Sequence, residues 1–332
     1  MKLLAQDGHN AGQKISTALS AGVLNGVIVS AKCHEKSKVA DFISENLEIN
    51  NAIVLYDPEF YASALPDADN LGKLETHDYF KSGLTKADLS PKGVTDLTTK
   101  TLTAQQSYGL DMLISPSVII EGFNSFSSAQ AYSFYLSSID ICDDAENKLI
   151  LTIPATQSSF SKKDEIEGFL NELTKLDVKG FYLIVDRSSA YSSIWSSPAE
   201  LAGQLLLVNV LTAAGYEVYQ GYTDASGLLS LAVGATGIAT GWYKNLRLFK
   251  HTRYYASSGG NTPKERYFST KLLNFIAVED ELNPIVALNL QNQVLSGVED
   301  DEELIQNIDD PSGDKIKQLK ITGLQCELLS MN

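Results

Sequence analysis

GYTDASGLLSLAVGATGIATG, residues 221–241, reads as the end of one strand, a short helix and the start of another strand. Asp224 or Ser226 can cap the helix. Gly234 stands where a helix C-terminus wants a left-handed residue, and Gly241 where backbones pack closely. A phosphate cradle at the last loops of a barrel would want its glycines after the final strand, whereas these lie before and inside it. The stretch therefore reads as a tight βαβ closure. Tyr222, Asp224 and the following WYKNLR (242–247) keep a ligand role open.

The same alternation runs upstream. GVIVSA (26–31), AIVLYD (52–57), MLISPSVII (112–120), KLILTIPA (148–155), GFYLIVD (180–186), YEVYQGY (216–222) and GIATGWY (237–243) are near-continuous apolar runs. Strands covered on both faces, as in a parallel sheet, have this composition. Helical patterns lie between them. SKKDEIEGFLNELTKL starts with Ser161 and Asp164 in capping spacing, and SSAQAYSFYLSSI with Ser127 and Gln130. SPAELAGQLLLVNVLTAAG has Pro198 at its start, Gly215 at its end and apolar residues on nearly all sides, which predicts deep packing.

Repeated strand–helix–strand units imply right-handed parallel crossovers. An open doubly wound sheet would place a Gly-rich turn after its first strand, and VSAKCHEKS has none. The reading is an α/β (β/α)8 barrel of TIM type over residues 1–255, incomplete or distorted, because only seven strands are legible. The eighth is expected within 60–110 or near KLLNFIAV (271–278). Residues 62–110 read as an insertion over one rim. Residues 256–332 form a small C-terminal extension with an acidic connector, GVEDDEELIQNIDDPSGDK.

The net charge is −15, and from Lys271 onward 12 acidic residues face 4 lysines. Such a surface disfavours nucleic acid unless a partner compensates. It also offers the C-terminal region as a dock for a basic protein partner or a second copy. There is no long apolar run for a membrane, and MKLLAQDGHNAGQK lacks the apolar core of a signal peptide. Cys33, Cys142 and Cys326 are scattered and odd in number, which predicts free thiols in the cytoplasm and no structural zinc site. No sequence motif names a cofactor.

Barrel chemistry sits at the carboxyl ends of strands. Asp57, held extended by Pro58, and Asp186, at the end of the most apolar strand, are the expected catalytic pair. Glu121, Arg187, Tyr222, Asp224, Trp242, Lys244 and Arg247 are the expected substrate-binding residues, with Tyr191 and Trp195 in a serine-rich loop beside them. His9, His34, His77 and His251 have no ligand spacing, so no metal is expected. Cys33 beside His34 makes a poor nucleophile, since neighbours on an extended chain point to opposite sides. Two functions fit: an enzyme using carboxylate acid/base or nucleophilic chemistry on a glycoside- or nucleoside-like molecule, or a non-catalytic barrel serving as a scaffold or assembly subunit.

Overall fold

The computed structural model describes residues 1–187, 197–256, 266–297 and 301–306. The chain divides into two units, Met1–Ala256 and Ser257–Asn332. The first alternates strand and helix, with one extra short helix before β5: β1 (Lys2–Gln6), α1 (Lys14–Ser20), β2 (Gly26–Ser30), α2 (Lys36–Leu47), β3 (Ile53–Asp57), α3 (Pro91–Ser107), β4 (Leu113–Ile114) and α4 (Phe126–Ile141). The chain continues with α5 (Ala145–Lys148), β5 (Leu149–Thr156), α6 (Lys163–Leu173), β6 (Gly180–Asp186), α7 (Pro198–Ala213), β7 (Glu217–Gln220), α8 (Gly227–Ala232) and β8 (Gly237–Thr240).

All eight strands are parallel, in the order β3-β2-β1-β8-β7-β6-β5-β4. This is a nearly closed (β/α)8 barrel whose seam lies between β3 and β4. The eighth strand is β1, at the N-terminus, and neither expected location supplies it. Its five residues carry only a short apolar run between an exposed Lys2 and a polar Gln6, too little to stand out by pattern. KLLNFIAV instead gives the second strand of a hairpin in the other unit.

The seam has a local cause. The expected strand 112–120 shrinks to two residues because Pro116 has no N–H to continue a ladder, and only an isolated bridge at Ile120 resumes it. Ser115 replaces the lost pairing, its hydroxyl accepting from Thr152 N (3.0 Å) and its carbonyl accepting from the Thr152 hydroxyl (2.8 Å). On the seam side, Gln105 of α3 acts as a one-residue strand. Its Oε1 accepts from Ile114 N (2.8 Å) and its Nε2 donates to Ile114 O (2.7 Å). Both backbone groups of the open edge are thereby satisfied.

Two expected caps move. Ser161 lies in a 3-10 turn and α6 begins at Lys163 without a side-chain cap; Ser125 caps α4 by accepting from Ser128 N, while Ser127 accepts from Glu121 N. Helix α7 buries one face, through Gly203, Gln204, Leu207, Val208 and Leu211, and is not enclosed on all sides. Gly234 adopts φ +112° just past α8, and a Cβ on Gly241 would meet Leu246 Cβ at 2.5 Å. The 221–241 glycines thus serve the chain path.

Residues 58–90 leave β3 through two 3-10 turns before α3, and bury Phe60, Tyr61, Leu71, Leu74 and Tyr79. After β8 the chain forms a strap, residues 241–256, joined to β6 by Arg187 N donating to Phe249 O (3.0 Å) and to the 58–90 connection by Asp69 and Asn70 N donating to Tyr254 O. The second unit has its own small core. An antiparallel hairpin, β9 (Arg266–Ser269) and β10 (Asn274–Ala277), packs Ile276 and Val278 with Leu282, Val294, Leu295 and Leu304. Part of the acidic connector is helical, at Asp301–Gln306. Apart from Gly297 the remainder of it, and Cys326, lie outside the described residues. Among the described residues no helix is long and apolar enough to cross a membrane.

Candidate functional site

The carboxyl ends of β1, β2, β3, β6 and β7 and the strap bring an unusual set of groups together. Asp57 is fully buried at the end of β3. Its Oδ2 accepts from the hydroxyls of Tyr61 (2.9 Å) and Tyr182 (3.2 Å), and its Oδ1 from Glu59 N (2.9 Å). Tyr182 reaches inward because it sits four residues before the end of β6, on the side chain's alternate face. A Cβ on Gly221 would lie 2.5 Å from the Tyr182 hydroxyl, so the glycine makes room for this contact. Burial, then the neighbouring Glu59 carboxylate, pushes Asp57 up to about 7 against the pull of its three donors.

Glu59 is also fully buried. Its two oxygens accept from the Ser30 and Tyr254 hydroxyls. The residue adopts a left-handed backbone (φ 46°), and Tyr222 across the site does the same (φ 54°). Non-glycine residues held there cost energy and cluster at functional sites. Asp7, next after β1, accepts from Gly8 N, Ser30 N and His34 Nε2 (2.6 Å).

Cations lie beside these acids. Lys32 Nζ donates to the carbonyls of Asn70 and Arg253 and lies 4.7 Å from the Tyr254 ring centre. Burial pulls Lys32 down to about 8 against the opposing pull of Glu59, with Arg253 adding to the fall. The Arg253 guanidinium stacks on Tyr222 (5.2 Å) and Tyr254 (5.9 Å). Exposed His9 stands at the edge; partial desolvation, Lys32 and Arg253 lower its pKa. Burial, then Asp7 and Glu59, drive the Cys33 thiol up to about 12, which leaves it protonated and a poor nucleophile.

No family model, curated protein or solved structure matches this chain. Its site is therefore read from its own geometry.

Asp57 and Tyr222 fall within the cluster. Asp186 has a different partner: its Oδ2 lies 2.5 Å from His251 Nδ1 and its Oδ1 accepts from His251 N (3.1 Å). That bond raises the His251 pKa against partial desolvation, with the Asp186 and Glu121 charges helping. Arg187 and Asp224 come together as an ion pair (3.3 Å), and Asp224 Oδ1 also accepts from Ser226 N and its hydroxyl. Burial lowers the Arg187 pKa, with Asp224 opposing. The pair links the carboxyl end of β6 to the loop after β7. Trp242 is buried with Lys14 over its ring (5.7 Å), Arg247 is half-buried, and Glu121 and Lys244 are exposed. Tyr191 and Trp195 lie outside the described residues.

The expected site left out Lys32 and Glu59, which lie at legible strand ends, and did not reach Gln6, Asp7, Tyr182 and Arg253. Gln6 and Asp7 follow once β1 is recognised, because they then occupy a strand's carboxyl end. Tyr182 is visible as the inward neighbour of Asp186 at even spacing. Glu59 and Arg253 depend on turns that no pattern signals. Among the described residues, no three His, Cys, Asp or Glu side chains gather closely enough to hold a metal ion.

Proposed function

We propose that the barrel is an enzyme acting on a polar small molecule, glycoside- or nucleoside-like, by carboxylate acid/base chemistry at its mouth. The observation that carries this reading is the buried Asp57 carboxyl, pushed up to about 7 beside Glu59. A neighbouring pair whose environments differ divides acid and base roles. Asp57 gives its proton to the departing oxygen or nitrogen of the ligand. Glu59, reoriented from Ser30 or Tyr254, takes a proton from the incoming water, whose oxygen bonds to the carbon losing the leaving group. Tyr61 and Tyr182 exchange the Asp57 proton with the mouth, where His9, Cys33 and His34 are at least partly exposed. Free thiols at Cys33 and Cys142 fit a reducing compartment such as the cytoplasm.

The second reading, a non-catalytic scaffold or assembly subunit, draws on the strap. Phe249 and Tyr254 are wholly buried and pack with Tyr61 and Tyr222, covering the mouth with aromatic rings. A thermal-shift panel of nucleosides, sugars and their phosphates separates the two. The enzyme reading expects a raised Tm with at least one class, and turnover of that class that is lost in both Asp57→Asn and Glu59→Gln. Turnover unchanged in both variants, or no hit together with co-purification of a partner by the intact chain, favours the scaffold.

A further inference from the structure

Two buried polar groups at the mouth, the Tyr222 hydroxyl and Arg253 Nη1, have no hydrogen-bond partner among the described residues, and a third, Gln6 Nε2, makes no bond of normal geometry, although the Gln6 side chain lies close enough to act on the Tyr182 hydroxyl. They are neighbours. Gln6 Oε1 accepts from Tyr222 N (3.3 Å), which fixes the amide with its NH2 turned away from that bond, and the Arg253 guanidinium lies over the Tyr222 ring. Gln6 is fully buried and Tyr222 is 5% exposed, so solvent does not readily satisfy them. Leaving such groups unpaired costs free energy, and these three belong to residues in contact with one another.

All three can donate. No hydrogen bond joins these donors to the nearby carboxylates, Glu59 accepting from Ser30 and Tyr254 and Asp7 from Gly8, Ser30 and His34, although the Glu59 charge acts on Arg253. Lys32 adds a second buried cation, directed at the backbone carbonyls of Asn70 and Arg253. A guanidinium N–H, an amide N–H and a phenol carried by contacting residues beside a cation match the lone pairs of an oxyanion.

We propose that Arg253, Gln6 and Tyr222 form an oxyanion-binding subsite that receives a phosphate or carboxylate of the ligand. This rests on the reading of the mouth as a ligand site and narrows the ligand to an anionic one. The strap thereby has a role beyond covering the barrel: it carries the arginine that closes the subsite.

The test is the Tm of the intact chain against added inorganic phosphate and, separately, acetate, each at constant ionic strength set with chloride. A saturable rise at millimolar concentration is expected with at least one anion. Phosphate alone points to a phosphorylated ligand, acetate alone to a carboxylate. Arg253→Gln abolishes the response. Tyr222→Phe removes only an unpartnered hydroxyl, so the free protein keeps or gains stability while anion affinity falls about five- to tenfold. That opposite pair of effects would not arise from a merely structural tyrosine. No rise with either anion overturns the subsite, as does a full response in both variants. A neutral sugar or nucleoside that binds while both anions fail would remove the subsite and leave the ligand-site reading standing.

Discussion

The seam and the mouth of this barrel both bury polar groups, and they treat them in opposite ways. At the seam, Gln105 matches both backbone groups of Ile114, and Tyr56, Tyr79 and His77 share hydrogen bonds with one another and with Pro58 O, Ala31 O and His34 O. At the mouth, an amide, a phenol and a guanidinium each keep a donor without a partner of normal geometry, beside three fully buried carboxyls, Asp7, Asp57 and Glu59, and a buried lysine. Other groups lack partners too, among them the Ser63 and Thr98 hydroxyls, Gln204 Oε1 and Trp242 Nε1. The seam is polarity used to close a fold. The mouth is polarity held ready, and a fold tolerates that cost where something else supplies the partners.

The comparison is broken most forcefully at Gln105. Gln105→Leu strands the Ile114 N–H and C=O inside the core, and urea denaturation should show a loss of roughly 2–5 kcal/mol. A loss below about 0.5 kcal/mol would mean the seam does not depend on this pairing. Next is the pH response of Asp57. Its folded pKa of about 7 exceeds the unfolded carboxylate value, so the folded state binds the extra proton between about pH 4 and 7. Stability from this group is full below that window and is lost as pH rises through it. Asp57→Asn should flatten the decline, which amounts to a few kcal/mol; identical pH profiles for the two proteins would refute the shift.

Gly221→Ala pushes a methyl against the Tyr182 hydroxyl and should cost roughly 1–3 kcal/mol. It should also move the pH window of Asp57, whereas a purely steric defect would leave that window in place. The smallest effect belongs to His251, which is about one-third exposed. Its pKa is raised, so its bond to Asp186 stabilises the protein below about pH 6.5 and is lost as pH rises through the folded value. Asp186→Asn should remove less than about 1 kcal/mol at pH 5.5 and almost nothing at pH 8.5. Equal losses at both pH values would show that the carboxylate acts on something other than the His251 charge.

The barrel was legible because doubly buried strands such as GFYLIVD and GVIVS need no context to be recognised. β1 was not, since KLLAQ is too short to carry a period, and its loss hid Gln6 and Asp7. β4 was overread because Pro116 interrupts an otherwise apolar run. Asp57 was readable from its place at a strand end before proline. The structure sets Glu59 rather than Asp186 beside it, because equal positions on two strands say nothing about which residues the following turns fold inward. Glu59 arrives through a left-handed turn and Arg253 through a strap nearly two hundred residues later, and both are tertiary facts.

The central feature of the site is a proton that resides on Asp57 near neutral pH. A carbon-detected NMR titration of the Asp57 carboxyl, in the wild type and in Glu59→Gln, reads that proton directly. The account expects a midpoint near 7 in the wild type, moving lower when the Glu59 charge is removed. A wild-type midpoint in the ordinary aspartate range, near 4 and indifferent to Glu59, would contradict it.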